Sequence, residues 1–571
     1  MHTATSRRLS IAAAICAVAA PMAMQALMPD PAPLPRIEPQ IPAASRTAPG
    51  RVFLEHADRL NKTTSDSFLV LTGNVRFSRG AMLMYCDSAH YVPTTESMDA
   101  FGNVRMEQGD TLFVYADELN YDGREEIAVL YGAPVRMINR DVTLRTDQFI
   151  YDMRLELGYY TVGGTLTDQR NRLMSIEGEY VPSTKEANFY TDVRLNSISD
   201  GDTLDIYTDT LYYNTTTHIA ELSAPSRIVN PQATILTSSG TYNTETEQAS
   251  LYMRSTVRAN SGATLTGDSL YYDRARGYGE AFGSMVLTDS ASHTTLEGDY
   301  GFYNELTDSA YVTGRALAKE YSQGDTLYMH GREIFSFRTI DTVEAVAARV
   351  IADSISPDSV AYRHIPPVLR PDTNQVIVCH PRVRFYRSDM QGLCDSMRFE
   401  QKDSTLYMYR HPIVWSDDRQ IFGNIIRLHL NDSTIDRADL PETGFTAQLV
   451  EDDFFNQLSG KEMTAYFTGG ELTRLDVSGN VEAILLPQES DSTYNKILNA
   501  ESSFLSATFA DRNIVRLKMW PETSGTVTPL YLARRTLFYL PRFKWYTGMR
   551  PTSPDDIFIV PEEMDALMAE P

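Results

Sequence analysis

The chain has 571 residues and sets 51 Lys and Arg against 75 Asp and Glu, a formal net charge of −24. That balance argues against a nucleic-acid partner, because a phosphate-binding face needs surplus Lys and Arg, and it equally disfavours docking on an anionic membrane surface. Four cysteines are too few for a disulfide scaffold at this length, so strand pairing and burial must hold the fold.

Arg7 and Arg8 precede an apolar run from Leu9 to Met28, which reads as an export signal. Its length of about 20 residues also suits a bilayer span, so residues 1–28 are a signal peptide or an N-terminal anchor. Ala17, Ala19 and Ala20 favour cleavage. Residues 29–50 form a Pro- and Ala-rich linker. From 51 to 338 nearly every segment is strand-like, as in the alternation of Thr111 to Ala116, with Gly, Asn or Asp at the breaks.

Two marks repeat through this stretch. Asp87, Asp117 and Asp147 lie thirty residues apart, each followed at +2 by Ala89, Leu119 or Phe149 and at +4 by Tyr91, Tyr121 or Tyr151. The phrase returns at Asp209, Asp268 and Asp395. The second mark, mostly after a turn residue, is Val75, Val104, Val135, Leu166, Val193, Ile228, Val257, Val286 and Leu317, with gaps of 27 to 35 residues. A fixed period of this size means a stacked array, and two phased marks imply two strands and two turns per unit. Cys86 and Cys394 occupy the same place in the phrase, which predicts two small half-buried side chains rather than a bridge.

Residues 339–375 break the pattern. Asp341 and Thr342 are placed to cap a short helix, VEAVAARVI, and Pro357, Pro366, Pro367 and Pro371 make the rest loop-like. The segment reads as an insertion or hinge. A second array, 376–522, resumes with Val383 and Val414 again 31 residues apart. Residues 523–571 form a tail in which Arg534, Arg535, Arg542, Lys544 and Arg550 alternate with aromatic residues, the only basic aromatic patch visible along the chain. Arg534, Arg535, Arg542, Lys544 and Trp545 are candidates for docking an envelope partner; the competing reading is a cap over the last sheet edge. Pro561 followed by EEMDALM predicts a short terminal helix.

Stacking such units edge to edge joins their apolar faces into one strip. Two strands per unit, separated by a turn at the Asp phrase, give two facing antiparallel sheets, an all-β flattened jelly roll that grows along its axis. Within Thr111 to Ala116 the Leu112, Val114 and Ala116 face is the expected interior, because the equivalent set in the next unit, Val142, Leu144 and Thr146, opposes Arg145 and Asp147. The aspartates read as turn punctuation rather than calcium ligands, since each unit offers one in phase without a dense Gly-rich loop. The +4 tyrosines read as a stacked ladder or as a cavity rim, with the ladder preferred. No nucleotide-binding, metalloprotease or serine-hydrolase motif is present, and His380-Pro381 and His411-Pro412 fall at equivalent turns. No catalytic, metal or cofactor site is expected, and the chain does not read as an enzyme.

With its GNV turns, its Asp-x-apolar-x-Tyr phrases and the closing run GKEMTAYF, SGNVEAILLP and ESSFLSATFADRNIVRLKMWP, the chain resembles the OstA-like (organic solvent tolerance) family. That family includes the periplasmic lipopolysaccharide-transport protein LptA and the N-terminal domain of LptD. The resemblance covers most of residues 51 to 520. It implies an open, V-shaped β-jelly roll whose units stack into a bridge carrying lipopolysaccharide or a related glycolipid between inner and outer membranes, with acyl chains in the apolar interior.

On that reading Val104, Leu112, Val114, Val135, Leu144, Val257, Leu265, Val286 and Leu296 line the lipid groove. The implied partners are other envelope lipopolysaccharide-transport proteins, with end-to-end self-association of the array. The implied location is the periplasm, in association with the inner membrane through an uncleaved N-terminus or with the outer membrane through a partner. The chain is several times longer than a minimal family member and has no room after Thr523 for the LptD barrel. The alternative is an exported structural or adhesive β-array without lipid cargo, which predicts a closed core of large side chains where a conduit needs a continuous opening.

Overall fold

The computed structural model of the chain describes residues 50–569 apart from 63–66, 200–201, 322–323, 343–349, 357–358, 365–370, 432–433, 452, 490–492 and 512. The expected signal or anchor and its linker lie outside the described residues except for Gly50. Residues 52–571 form one unit, and it is all-β as expected, with one short α-helix and four single 3-10 turns among the described residues, all near the C-terminus.

Two short strands, Phe53–His56 and Arg59–Asn61, pair with the first of six long ones that run as a meander: Leu69–Arg79, Met82–Val92, Ser97–Gln108, Leu112–Asp122, Ile127–Asn139 and Val142–Asp152. Each neighbouring pair is antiparallel, and each ladder shifts register once near its middle, between Thr72 and Val75, Tyr85 and Ser88, Phe101 and Val104, Tyr115 and Glu118, and Tyr131 and Val135. An extra residue in one strand bends it and raises its twist. Repeated at the same height in each of these ladders, the bulge folds the sheet into two facing half-sheets along a crease.

The sequence marks sit on this crease. Gly73 and Asn74 are both left-handed, with φ of 81° and 47°, as are Gly102 and Asn103 at 75° and 46°. Glycine and asparagine tolerate that region best, which explains the recurring GNV. Asn103 Nδ2 donates to Asp87 Oδ2 at 2.7 Å, and Asn74 Nδ2 to Asp58 Oδ2 at 2.9 Å. The aspartate phrase is therefore a mid-strand bend, not the reversal between strands that the spacing suggested: Gly, Asn and Asp serve a bulge for the same backbone reasons that they serve a turn. Where the bend lacks glycine, as at Thr191-Asp192 and Arg410-His411, the left-handed pair is retained.

The reversals lie elsewhere, in two rows. One row consists of tight turns, such as Gly80-Ala81 between Arg79 and Met82. The other consists of four-residue turns, several of them opened by an aspartate or asparagine five residues after the bend. Asp122 Oδ1 accepts from Arg124 N at 2.8 Å, Asp152 Oδ1 from Arg154 N at 2.8 Å, and Asn214 and Asn243 act alike. Each turn of this row ends in a left-handed residue, among them Glu96, Glu126 and Glu156. The two rows form the rims of a V whose apex is the crease. Beyond Asp152 many strands break at the bend, so that one piece, such as Leu157–Tyr160, joins one half-sheet and the next, Gly164–Thr167, joins the other.

Both ladders pass straight through the expected hinge. Glu333–Thr342 pairs along its length with Pro371–His380, and Leu327–His330 pairs with Val383–Tyr386. Between them, Val350–Ser356 and Ser359–His364 form a separate two-stranded sheet. Of the expected helix, Val350 and Ile351 are strand, and its other residues lie outside the described ones. The terminal helix is present at Glu562–Met568, with Pro561 as its N-cap rather than in its first turn.

A side chain at Gly102 would carry its Cβ to 2.6 Å from Asp87 Oδ2 in a left-handed backbone. Gly102→Val is expected to weaken the bend by about 1–3 kcal/mol, seen as faster amide exchange across Leu69–Asp152, with residues beyond 400 unaffected because units of an array touch only their neighbours. Unchanged protection in the first units would mean that the bend does not depend on the glycine.

Candidate functional site

Alternate side chains of the array's strands enter the V, as at Val104, Leu112 and Leu144. One apolar cluster runs from Val52 through every unit to Phe509. Of the expected groove residues, Val104, Leu112, Val114, Val135, Leu144, Val257, Leu265 and Leu296 are buried in it. Val286 is not: in Gly283-Ser284-Met285 the residue after the left-handed pair is Met285, which is buried, and Val286 falls on the outer face. A slip of one residue along a strand exchanges its faces. Leu317 is displaced likewise, Ala316 holding the inner position after Gly314-Arg315.

The interior is packed. Phe77, Phe149, Phe189, Tyr213 and Tyr242 are fully buried, and the apolar cavities are small. One near the start of the array measures about 30 Å³ and is lined by Phe77, Met84, Met98, Met106, Leu119 and Tyr121. A second of about 20 Å³ lies by Val257, Leu265 and Tyr272. Each holds about one water, far less than an acyl chain fills.

The mouth of the V is bridged, and the +4 tyrosines supply much of the bridge. Tyr151 OH donates to Gln108 Oε1 on the opposite rim at 3.0 Å. Asn139 Nδ2 donates to Tyr180 OH at 3.1 Å, and Asn171 Nδ2 to Tyr213 OH at 2.6 Å, while Tyr213 OH donates to Asp168 Oδ2 at 2.7 Å. These rings are buried beams between the rims rather than a stacked ladder, because a phenol is long enough to cross the narrowing core and keep its hydroxyl at a polar edge. Arg79 bridges the first units, reaching Glu126 Oε2 at 2.7 Å and Met153 Sδ at 3.4 Å. Arg274 ties Gln232 and Glu247 at 2.7 and 2.6 Å and also pairs with Asp202.

The tail is not a free patch. Ser524–Pro529 pairs with Lys496–Ala510, after which the chain turns back and runs along the outer face of one half-sheet, opposite in direction to the array. A series of buried side chains holds its backbone. Gln457 bonds Phe538 O and Leu540 N at 2.7 and 2.9 Å, and Gln420 bonds Lys544 O and Tyr546 N at 2.9 and 2.8 Å. Further along, Gln391 Oε1 accepts from Arg550, and Arg384 donates to Met549 O at 3.1 Å and to the carbonyls of Asp556 and Ile559. Met549, Met564 and Leu567 close an apolar cluster over Leu393, Ile413 and Trp415.

Among the docking candidates, Trp545 packs on Phe455 at 4.9 Å and Arg542 donates to Thr443 O, so both are committed to the strap. Arg534, Arg535 and Lys544 are exposed. The first tail strand, Ser524–Pro529, covers one edge of Lys496–Ala510 and itself ends that half-sheet, while Asn513–Trp520 ends the other. Cys86, Cys379 and Cys394 are buried thiols. Among the described residues no cluster of His, Cys, Asp or Glu is placed to hold a metal ion.

Two consequences are measurable. Burial raises the pKa of Tyr151, Tyr180 and Tyr213, and pushes Tyr160 up to about 12. An unfolded tyrosine titrates near 10, so the stability contributed by these neutral phenols is complete below about pH 10 and is lost as pH rises through the folded values. Phenolate absorbance of this set should appear together with loss of the β circular-dichroism signal; a simple titration near pH 10 with intact β signal would contradict buried beams. In the strap, Gln420→Ala removes a donor and an acceptor at one buried point, costing about 1–3 kcal/mol. Limited proteolysis should then cut within 531–560 faster than in the parent, whereas Arg534→Ala should cut at the parent rate.

Residues 50–199 and 196–254 match the family model of the OstA-like proteins. No curated protein matches. Among solved structures, the chain is similar to LptH, titled the LptA homologous periplasmic component of the conserved lipopolysaccharide transport device from Pseudomonas aeruginosa, at 14% identity over 24% of this chain and 79% of LptH, with a TM-score of 0.15. The family match thus falls on the bent-strand repeats of residues 50–254, where the chain is similar to the OstA-like proteins.

Proposed function

We propose that the chain is a non-enzymatic periplasmic carrier that passes the acyl chains of lipopolysaccharide, or a related glycolipid, along the interior of the V between inner and outer membranes. The observation that carries this reading is the single apolar cluster that threads every unit from Val52 to Phe509 between two half-sheets. The family match over residues 50–254 supports it. Its partners are other envelope proteins of lipopolysaccharide transport and, end to end, further copies of the array. The N-terminal segment, if retained, holds it at the inner membrane.

Entry of an acyl chain requires the rims to part. Within each half-sheet the ladders persist when they do, and only the rim bridges break, at about 1 kcal/mol each. About twelve methylenes removed from water contribute roughly 0.8 kcal/mol each, near 10 kcal/mol in all, which exceeds that cost. Units of near-identical lining make adjacent positions nearly equal in energy, so cargo moves along the row without a local energy source, and an upstream machine supplies direction.

The packed core, with Phe149, Phe189, Tyr213 and Tyr242 fully buried, favours a second reading, an exported structural or adhesive array without cargo. Photocrosslinking side chains at Leu112, Leu144 and Leu265, with Val286 as the outer-face control, separate the two. Adducts with lipopolysaccharide at the three inner positions and none at Val286 are expected of a carrier. Absence of inner adducts, or equal yield at Val286, would leave the structural reading standing.

A further inference from the structure

The bent sheet assembles on its outer face a set of residues that are scattered in the chain. Register places Arg76, Tyr85, Arg105, Tyr115, Arg136 and Arg145 side by side on six successive strands. The same row continues through Thr165 and Met174 to Arg194, Tyr207 and Arg227. Six arginines thus share one ladder in a chain whose net charge is −24, so the tail is not its only basic aromatic patch. Strands lie about 4.8 Å apart, which sets Arg76, Arg105 and Arg136 about 10 Å from one another in a line across the sheet.

The tyrosines hold the guanidinium groups in place. Arg105 lies over Tyr85 at 4.3 Å, Arg136 over Tyr115 at 5.0 Å and Arg227 over Tyr207 at 4.5 Å. A guanidinium flat on a ring directs its N–H edge outward, the geometry that oxyanions use. Carboxylates meet some of this charge: Glu55 pairs with Arg76 at 2.6 Å, Glu107 with Arg105 at 2.8 Å and Asp192 with Arg194 at 3.2 Å. Arg136 and Arg145, directly opposite each other, form no ion pair among the described residues. Like charges in that position destabilise a sheet, and an anion laid between them reverses the sign.

We propose that this face is a binding site for a phosphorylated saccharide chain. A groove of about 710 Å³ is lined by Arg105, Arg136 and Arg145 on one side and by Asn103 and Asp117 on the other, over Tyr85 and Tyr115. It continues into one of about 440 Å³ with Arg76, Asn74 and Asp87. A row of cations therefore runs beside the crease row of carboxylates. A bare polyanion is repelled by the second row. A phosphorylated saccharide satisfies both, its phosphates taking charge-assisted bonds from arginine and its hydroxyls donating to aspartate. The site lies outside the V, on the far side of the sheet from the apolar cluster, and is independent of the acyl-chain reading.

The test uses full-length protein and lipopolysaccharide stripped of every acyl chain with its phosphates kept, a probe that the interior has no means to hold. Binding is expected, weakening with added salt. It should fall roughly tenfold or more, through removal of three charge-assisted bonds, in the triple variant R105Q/R136Q/R145Q, whose β circular dichroism stays that of the parent. It should fall comparably when the oligosaccharide is dephosphorylated. No binding, or equal binding by the variant, overturns the proposal. Polyglutamate binding as tightly as the oligosaccharide also overturns it, in favour of an acidic protein partner.

Discussion

The structure depends on one backbone device, a pair of left-handed residues set opposite an aspartate at mid-strand. Because it recurs at the same height on neighbouring strands, a single meander supplies both walls of the V. The interior needs no second sheet brought from elsewhere in the chain, and each unit adds length without adding topology. Small residues just inside the crease, such as Cys86, Ala116 and Thr146, let the walls approach. Thr146 and Ser175 also turn their hydroxyls to the backbone, at 3.1 Å to Gln148 O and 2.6 Å to Glu177 O, which serves carbonyls that the bulge takes out of the ladder.

The two halves of the array differ in what covers them. In the first, strands alternate buried and exposed positions, as in Leu112–Asp122, the pattern of a sheet with one wet face. In the second, Gln391–Cys394 is buried at every position and Ile413–Ser416 at the first three, because the strap lies on the outside. Buried glutamines there do for the strap what ladder groups do for a strand: they bond a backbone that has no partner strand. The first half is thus held across its mouth only by rim bridges, and the second half carries an additional cover on one wall.

Much of this was legible in the sequence, and the failures have physical causes. Alternation and the charged partners Arg145 and Asp147 sufficed to point Leu112 and Leu144 inward. The period gave the repeat, and the tail's terminal helix was visible in EEMDALM. The bend was misread as a reversal because Gly, Asn and Asp mark both. Val286 was misplaced because Phe-Gly-Ser-Met-Val puts one residue more before the valine than Gly-Asn-Val does. The tyrosine beams and the arginine row were not legible, since their partners are set by register across strands. Tyr151 and Gln108, or Arg105 and Arg136, become neighbours only when the ladder is known. Gln391, Gln420 and Gln457 carried no signal, as a buried glutamine in a strand resembles an exposed one until its cover is seen.

The reversed course of the strap sets an order of events. Synthesis runs from the N-terminus, so the strands around Leu393, Ile413 and Trp415 exist before the residues that cover them, and Met564 and Leu567 come last of all. Until the final turn of chain arrives, an apolar strip stays uncovered on the outside of the second half. A chain that stops before Met549 carries the strands of the second half with that strip uncovered. The strap thus decides how much apolar area the outer face of the second half shows to solvent.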